Sequence, residues 1–183
     1  MVGTSSQRRL AQLKYLRGDV VIKDLRGNVD TRLRKLDEGQ YDALLLAAAG
    51  LRRLGLESRI SALIPTGEML PAVGQGALAV ETRANDHSTI ALVSPLNHAA
   101  TQVACSSERA FLRALGGGCQ LPIAGYAVAS GSKLVLEGLV ADPGGQEVVR
   151  GKLTGPTEEA EDLGLRLAHQ LLKRGADRLL AEQ

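Results

Sequence analysis

The first third of the chain alternates short apolar runs with stretches whose apolar residues recur at helical spacing, and this alternation limits the fold more than any other feature. "MVG" reads as the end of a strand whose beginning is lacking. It runs into Gly3-Thr4-Ser5-Ser6 and then a helix carrying Leu10, Leu13 and Leu16. "DVVIKDL" reads as a buried strand, "RGNVDTR" as a loop, and "TRLRKLDEG" as a short helix closed by Gly39. "YDALLLAAAG" is a further buried strand or strand-to-helix junction. Strand, helix, strand, helix, strand in that order predicts an α/β, doubly wound parallel sheet. In such sheets ligands sit beyond the carboxyl ends of the strands, the position of both Gly-Thr-Ser-Ser and "RGNVDTR".

Around Pro65 and Pro71 the alternation stops. "LPAVGQGALAVETR" reads as a hinge and crossing segment leading to a strand, followed over 86–98 by a short helix and a turn at Pro95. From Ala99 a small α+β unit is expected: a helix to Leu115, a glycine loop, then a meander of "LPIAGYAVA", "KLVLEGLVA" and "QEVVRGKLTG" turning at "SGS" and "DPGG". Thr157 is expected to cap a last helix, with Glu158, Glu159, Glu161 and Asp162 in its first turn and Lys173, Arg174 and Gly175 at its end. Aromatic residues are only 2% of the chain, so the core must be aliphatic, and a nucleic-acid reader that stacks bases on exposed rings is disfavoured. Two cysteines make no disulfide framework, and no segment reads as a signal peptide or a membrane span. The expected location is therefore the reducing cytoplasm.

A net charge of +2 conceals an asymmetry: residues 1–64 hold 12 Lys and Arg against 7 Asp and Glu, and residues 65–183 hold 10 against 13. Arg8, Arg9, Arg26, Arg32, Arg52 and Arg53 offer planar guanidinium forks suited to carboxylate or phosphate. Gly3-Thr4-Ser5-Ser6 offers backbone N–H groups, hydroxyls and a positive helix end. An ordinary helix cap on a solvated basic face fits the same residues. Arg8-Arg9 in the first helical turn shifts the weight, because cations there cost a few tenths of a kcal/mol unless an anion compensates. Arg26 and Arg32 bracket a turn at Gly27 and Asn28 and could converge on one polyanion. Cys105 lies within an apolar-periodic helix and reads as structural. Cys119 follows Gly116, Gly117 and Gly118, whose freedom suits a thiol presented at a loop tip. No second cysteine is close, and His87, His98 and His169 are scattered, so zinc is not expected and a reactive or modified thiol is left.

"GTSSQRR", "LRGNVDTRLRKLDEGQYDALLLAAAGLRRLGL", "LPAVGQGALAVE" and "ERAFLRALGGGCQLPIAGYA" together resemble the porphobilinogen deaminase (hydroxymethylbilane synthase) family of tetrapyrrole and heme biosynthesis. The resemblance runs over essentially the whole chain. It implies a transferase that joins four porphobilinogens head to tail with loss of ammonia and releases hydroxymethylbilane by hydrolysis. A dipyrromethane cofactor, bound covalently as a thioether on Cys119, would prime the reaction. The resemblance further implies cofactor contacts at Thr4, Ser6, Arg8, Arg9 and Arg32 and substrate contacts at Arg26 and Arg53. By the same likeness residues 1–70 are the family's second α/β domain, periplasmic-binding-protein-like and truncated at its start. Residues 71–98 are a hinge and crossover completing an absent first domain, and 99–183 the C-terminal domain.

Family members carry a long additional N-terminal stretch that supplies the catalytic aspartate. No residue here matches it, and Asp24, Asp30 and Asp37 are not substitutes. The expectation is thus a truncated chain with no catalytic residue of its own, inactive alone, exposing an apolar strand edge over about 76–96. Expected partners are porphobilinogen and the growing polypyrrole, with the missing N-terminal domain or a second copy of the chain; nucleic acid, membrane and metal are not expected. The competing reading is a noncatalytic carboxylate- or anion-binding α/β module, which explains the hydroxyls and arginines but not Cys119 behind its glycines.

Overall fold

The computed structural model describes residues 1–118 and 121–181. Its N-terminal unit holds a parallel sheet of three two-residue strands, β1 (Val2–Gly3), β2 (Ile22–Lys23) and β3 (Ala43–Leu44), in the order β2-β1-β3. Helices α1 (Gln7–Leu16), α2 (Val29–Asp37) and α3 (Ala48–Arg53) follow the strands in turn. Gly3 shows why β1 is central: a Cβ there would lie 2.7 Å from Leu44, 2.8 Å from Tyr41 and 3.1 Å from Leu25, all of which close over it. Tyr41 spends its hydroxyl on the Asp24 carbonyl at 2.6 Å, which lets the ring stay buried.

Two details differ from the sequence expectation. "DVVIKDL" is not a buried strand, because β2 is an edge strand of two residues and Val21 is 63% exposed. The second helix begins at Val29, since the Asn28 side chain accepts the Thr31 N–H at 2.9 Å and caps the helix two residues earlier than expected. Gly39 does end the turn that follows it, at φ +73.

After Leu70 the chain turns through Gly74 and Gly76, both with positive φ. The strand expected next does not form. Residues 77–83 meet no ladder partner among the described residues, and Leu78 and Val80 are 88% and 61% exposed. α4 (His87–Val93) follows, capped by Asp86, whose carboxylate accepts the Thr89 N–H at 3.1 Å. A 3₁₀ turn over Ser94–Leu96 holds Pro95.

The C-terminal unit packs α5 (Ala99–Ala114) and α6 (Ala160–Leu171) on one face of an antiparallel sheet of β4 (Ile123–Ser130), β5 (Lys133–Ala141) and β6 (Val148–Pro156), in the order β4-β5-β6. The glycines of the meander explain how an aliphatic sheet takes the chain's one phenylalanine. Gly125, Gly138 and Gly151 are register partners across the three strands. An added Cβ would come within 2.4 Å of the Phe111 ring at Gly138 and within 2.7 Å of Leu171 at Gly151. This row is a trough into which the helices lower their largest side chains.

Thr157 is not the cap of the last long helix. It opens a 3₁₀ turn, Thr157–Glu159, and α6 starts at Ala160 without a side-chain cap. A wide turn over Leu172–Ala176, broken at Gly175 (φ +101), leads to α7 (Asp177–Ala181).

The opposite face of the sheet meets the N-terminal unit. Ala11 and Leu70 pack with Ala124, Leu139 and Ala141. The "DPGG" turn presses on α1 so closely that a Cβ on Gly145 would lie 2.3 Å from the Ala11 carbonyl. Among the described residues no helix is long and apolar enough to cross a membrane.

Candidate functional site

Beyond the carboxyl end of β3 lies a cleft of about 420 Å³ whose wall includes Arg8, Arg9, Leu45, Ala47, Met69 and Gln75. Arg8 sits in the first turn of α1 and is only 7% exposed. Its guanidinium donates to the Leu70 carbonyl at 2.8 Å and to the Gln75 side-chain oxygen at 3.3 Å, both neutral acceptors. Burial, and then the neighbouring charge of Arg9, lower its pKa to about 10. Arg9 donates to the Leu45 carbonyl at 3.0 Å, and burial followed by the charge of Arg32 lowers its pKa too. Three like charges thus bear on one region, and neither Arg8 nor Arg9 has a carboxylate partner among the described residues. A buried cation without an anion is costly, and the arrangement becomes favourable when carboxylates enter the cleft.

The loop ahead of α1 is held rather than loose. Ser5 donates to the Leu25 carbonyl at 2.5 Å and accepts the Leu25 N–H at 3.0 Å, while buried Thr4 accepts the Ser6 N–H at 3.3 Å. Ser6 makes no side-chain cap, which leaves the helix end and its first-turn N–H groups open to another acceptor. Neither Thr4 nor Ser6 lines the cleft wall.

The other arginines are not all brought together. Arg32 folds back onto the Gly27 carbonyl at 2.7 Å, near enough to Arg9 to act on its charge. Arg26 points away: its side chain is 85% exposed and pairs with Asp24 at 2.9 Å. The two therefore do not converge, because each finds a partner within its own loop. Arg53 is exposed at the end of α3, off the cleft wall, and Arg52 pairs with Glu57 at 3.0 Å. Cys105 is half-buried on α5, and burial raises its thiol pKa. Cys119 lies outside the described residues.

Three residues at or behind the cleft were not singled out from the sequence. Gln12 grips both polar groups of the Leu70 backbone, accepting its N–H at 2.8 Å and donating to its carbonyl at 3.0 Å. Gln75 holds Arg8. Glu108 is buried on α5 and accepts N–H groups from Gly74 at 2.6 Å and Ala127 at 2.7 Å. Burial raises the Glu108 pKa against the pull of those two bonds. A signal was present for Glu108: it falls on the stripe of Ala104, Phe111 and Leu115, where a charge has no reason to sit unless it is bonded.

Two domains of one family match the chain in order. Residues 1–91 match the dipyrromethane cofactor-binding domain of porphobilinogen deaminase, and residues 102–173 match that enzyme's C-terminal domain. The cofactor-binding match contains every residue of the arginine cleft. The chain belongs to the porphobilinogen deaminase family.

Proposed function

We propose that this chain holds the cofactor and the growing polypyrrole in a deaminase-type transferase, which condenses four porphobilinogens head to tail with release of four molecules of ammonia and then frees the chain by hydrolysis with one water as hydroxymethylbilane. The observation that carries this is Arg8, buried with only the Leu70 carbonyl and Gln75 as acceptors among the described residues, beside Arg9 in an open cleft. The chain's residues fit a dipyrromethane group on their donor chemistry: its acetate and propionate arms would supply the anions that Arg8 and Arg9 lack among the described residues, with Arg32 adding its charge from beside Arg9. When bound, that group supplies the pyrrole terminus onto which substrate rings are added. Ser6 and the open N–H groups of α1 are suited to a further carboxylate. Substrate contacts at Arg26 and Arg53 rest on the family resemblance alone, since Arg26 pairs with Asp24 and Arg53 stands off the cleft wall. Arginine is the right residue for this work, since its charge never leaves at neutral pH and its fork matches a carboxylate in two places.

Cys119 is the thiol we assign to the thioether, on the family resemblance of its sequence context. The parallel order β2-β1-β3 supports reading the N-terminal unit as part of a doubly wound lobe. We infer further that none of the carboxylates at this cleft supplies the acid needed at the pyrrole nitrogen. Asp42 on the cleft rim is paired with the Met1 amine, and nearby Asp37 is paired with Arg59.

Incubation of the protein with porphobilinogen, followed by peptide mass spectrometry and a tetrapyrrole assay, tests both parts. A mass increase on the Cys119 peptide, abolished in Cys119→Ser, with negligible turnover is expected. A modified protein whose added mass persists in Cys119→Ser contradicts the attachment site, and robust turnover by the chain alone contradicts the inference about the acid.

A further inference from the structure

Glu108 occupies a place where an aliphatic residue would pack without difficulty, between Ala104 and Phe111 on the sheet-facing stripe of α5. Keeping a carboxylate there requires that both oxygens be bonded, and each is bonded to a different part of the chain. Oε1 takes the Ala127 N–H from β4, its immediate neighbour in the C-terminal unit. Oε2 reaches out of that unit to the Gly74 N–H, in the strap that runs past the arginine cleft. No ion pair to Glu108 occurs among the described residues.

The strap over 70–75 is tied at three points. Gln12 grips Leu70 from α1, the Pro71 carbonyl accepts the Gly125 N–H at 3.2 Å, and Glu108 holds Gly74. Gly74 has φ +70 in a turn closed by the Gln75 N–H on the Ala72 carbonyl at 3.0 Å, so fixing the Gly74 amide fixes the direction in which Gln75 leaves the turn. The two ends of this strap are the two acceptors of the Arg8 guanidinium: the Leu70 carbonyl at one end and the Gln75 side chain at the other. Gln12 secures the first acceptor and Glu108 the second.

We propose that Glu108 is a positioning residue for the arginine cleft, acting through the Gly74–Gln75 turn to hold Arg8 in its carboxylate-binding pose. This rests on the reading of Arg8 as a carboxylate holder. Glu108 does not line the arginine cleft; it works by restricting the Gly74–Gln75 turn so that the buried guanidinium is already oriented when an anion arrives.

The test uses Glu108→Gln, which keeps the side chain's size but turns an NH₂ group toward one of the two backbone donors, and Gln75→Ala, which removes the Arg8 acceptor and leaves the clasp intact. Phe111→Leu serves as a control that loosens the same core without removing a hydrogen bond to the strap. Amide hydrogen exchange at Gly74 and Gln75, the NMR signals of the Arg8 guanidinium, and porphobilinogen affinity are read in each. Glu108→Gln is expected to speed exchange at both amides, to shift the Arg8 signals toward those of Gln75→Ala, and to weaken porphobilinogen binding roughly tenfold, with the double variant no weaker than either single one. Phe111→Leu is expected to lower Tm without these changes. Unchanged exchange and unchanged Arg8 signals in Glu108→Gln overturn the proposal, as do fully additive losses in the double variant. Should the wild-type protein fail to bind porphobilinogen, the functional reading falls by itself, and the exchange and arginine signals still decide for or against Glu108.

Discussion

Arg8 and Gln12 stand one helical turn apart on α1 and meet the same carbonyl, that of Leu70, at 2.8 and 3.0 Å. Their roles differ. Gln12 satisfies a buried N–H as well as the carbonyl, so Gln12→Ala strands polar groups away from water and should cost about 1–3 kcal/mol in urea unfolding. A midpoint within error of wild type would show that the strap finds other partners. Arg8 was legible as an anion-binding candidate because a cation in a first helical turn is locally unfavourable. Its burial was not legible, since that depends on Leu70 returning from sixty-two residues away. The loop arginines show the converse. Asp24 stands two residues before Arg26, and the pairing that draws Arg26 out of the site was available in the sequence as a local ion pair.

Among the elements, the antiparallel sheet was readable strand by strand because its turns carry their own chemistry, whereas the parallel strands shrank to two residues each. Strands that short take their length from neighbours rather than from β-branched content, which is why "DVVIKDL" suggested more than β2 delivers. The glycine trough is the feature that alternation alone could not reveal, because it depends on register. Gly138→Ala puts a methyl into the Phe111 ring and should destabilise by about 1–3 kcal/mol, with Phe111→Leu in the same background restoring part of the loss. A neutral outcome for Gly138→Ala in thermal unfolding would mean the ring has room to move. The start of α4 adds a pH dependence. Hydrogen bonds from the Thr89 backbone and from Ser88 lower the Asp86 pKa, so its capping contribution is fully present above the unfolded carboxylate value and is lost as pH falls through the depressed one. Protection of the Thr89 amide, taken as its exchange relative to the intrinsic rate at each pH, should fall over that acid range in the wild type and stay constant in Asp86→Asn, which caps without titrating.

For the whole molecule, the two units meet where the face of the sheet turned away from α5 and α6 packs on α1 and Leu70. Gly145 is the tightest point of that junction, with φ +68 and the Ala11 carbonyl where a side chain would go. Gly145→Val should wedge the turn off α1 and split a single unfolding transition into two, visible by calorimetry; one unshifted transition would show that the junction does not couple the units. The sequence suggested a two-part chain with an anion-binding candidate in its first part. It did not announce that the strap from Leu70 to Gln75 is bonded to Glu108 of the second part. The claim on which all of this depends is that Arg8 and Arg9 exist to hold carboxylates. Titration calorimetry of porphobilinogen into the wild type, Arg8→Lys and Arg9→Gln tests it most directly. Binding that weakens roughly tenfold or more in each variant, and that weakens with added salt in the wild type, is the predicted result. Equal affinity in all three proteins, indifferent to salt, would contradict it.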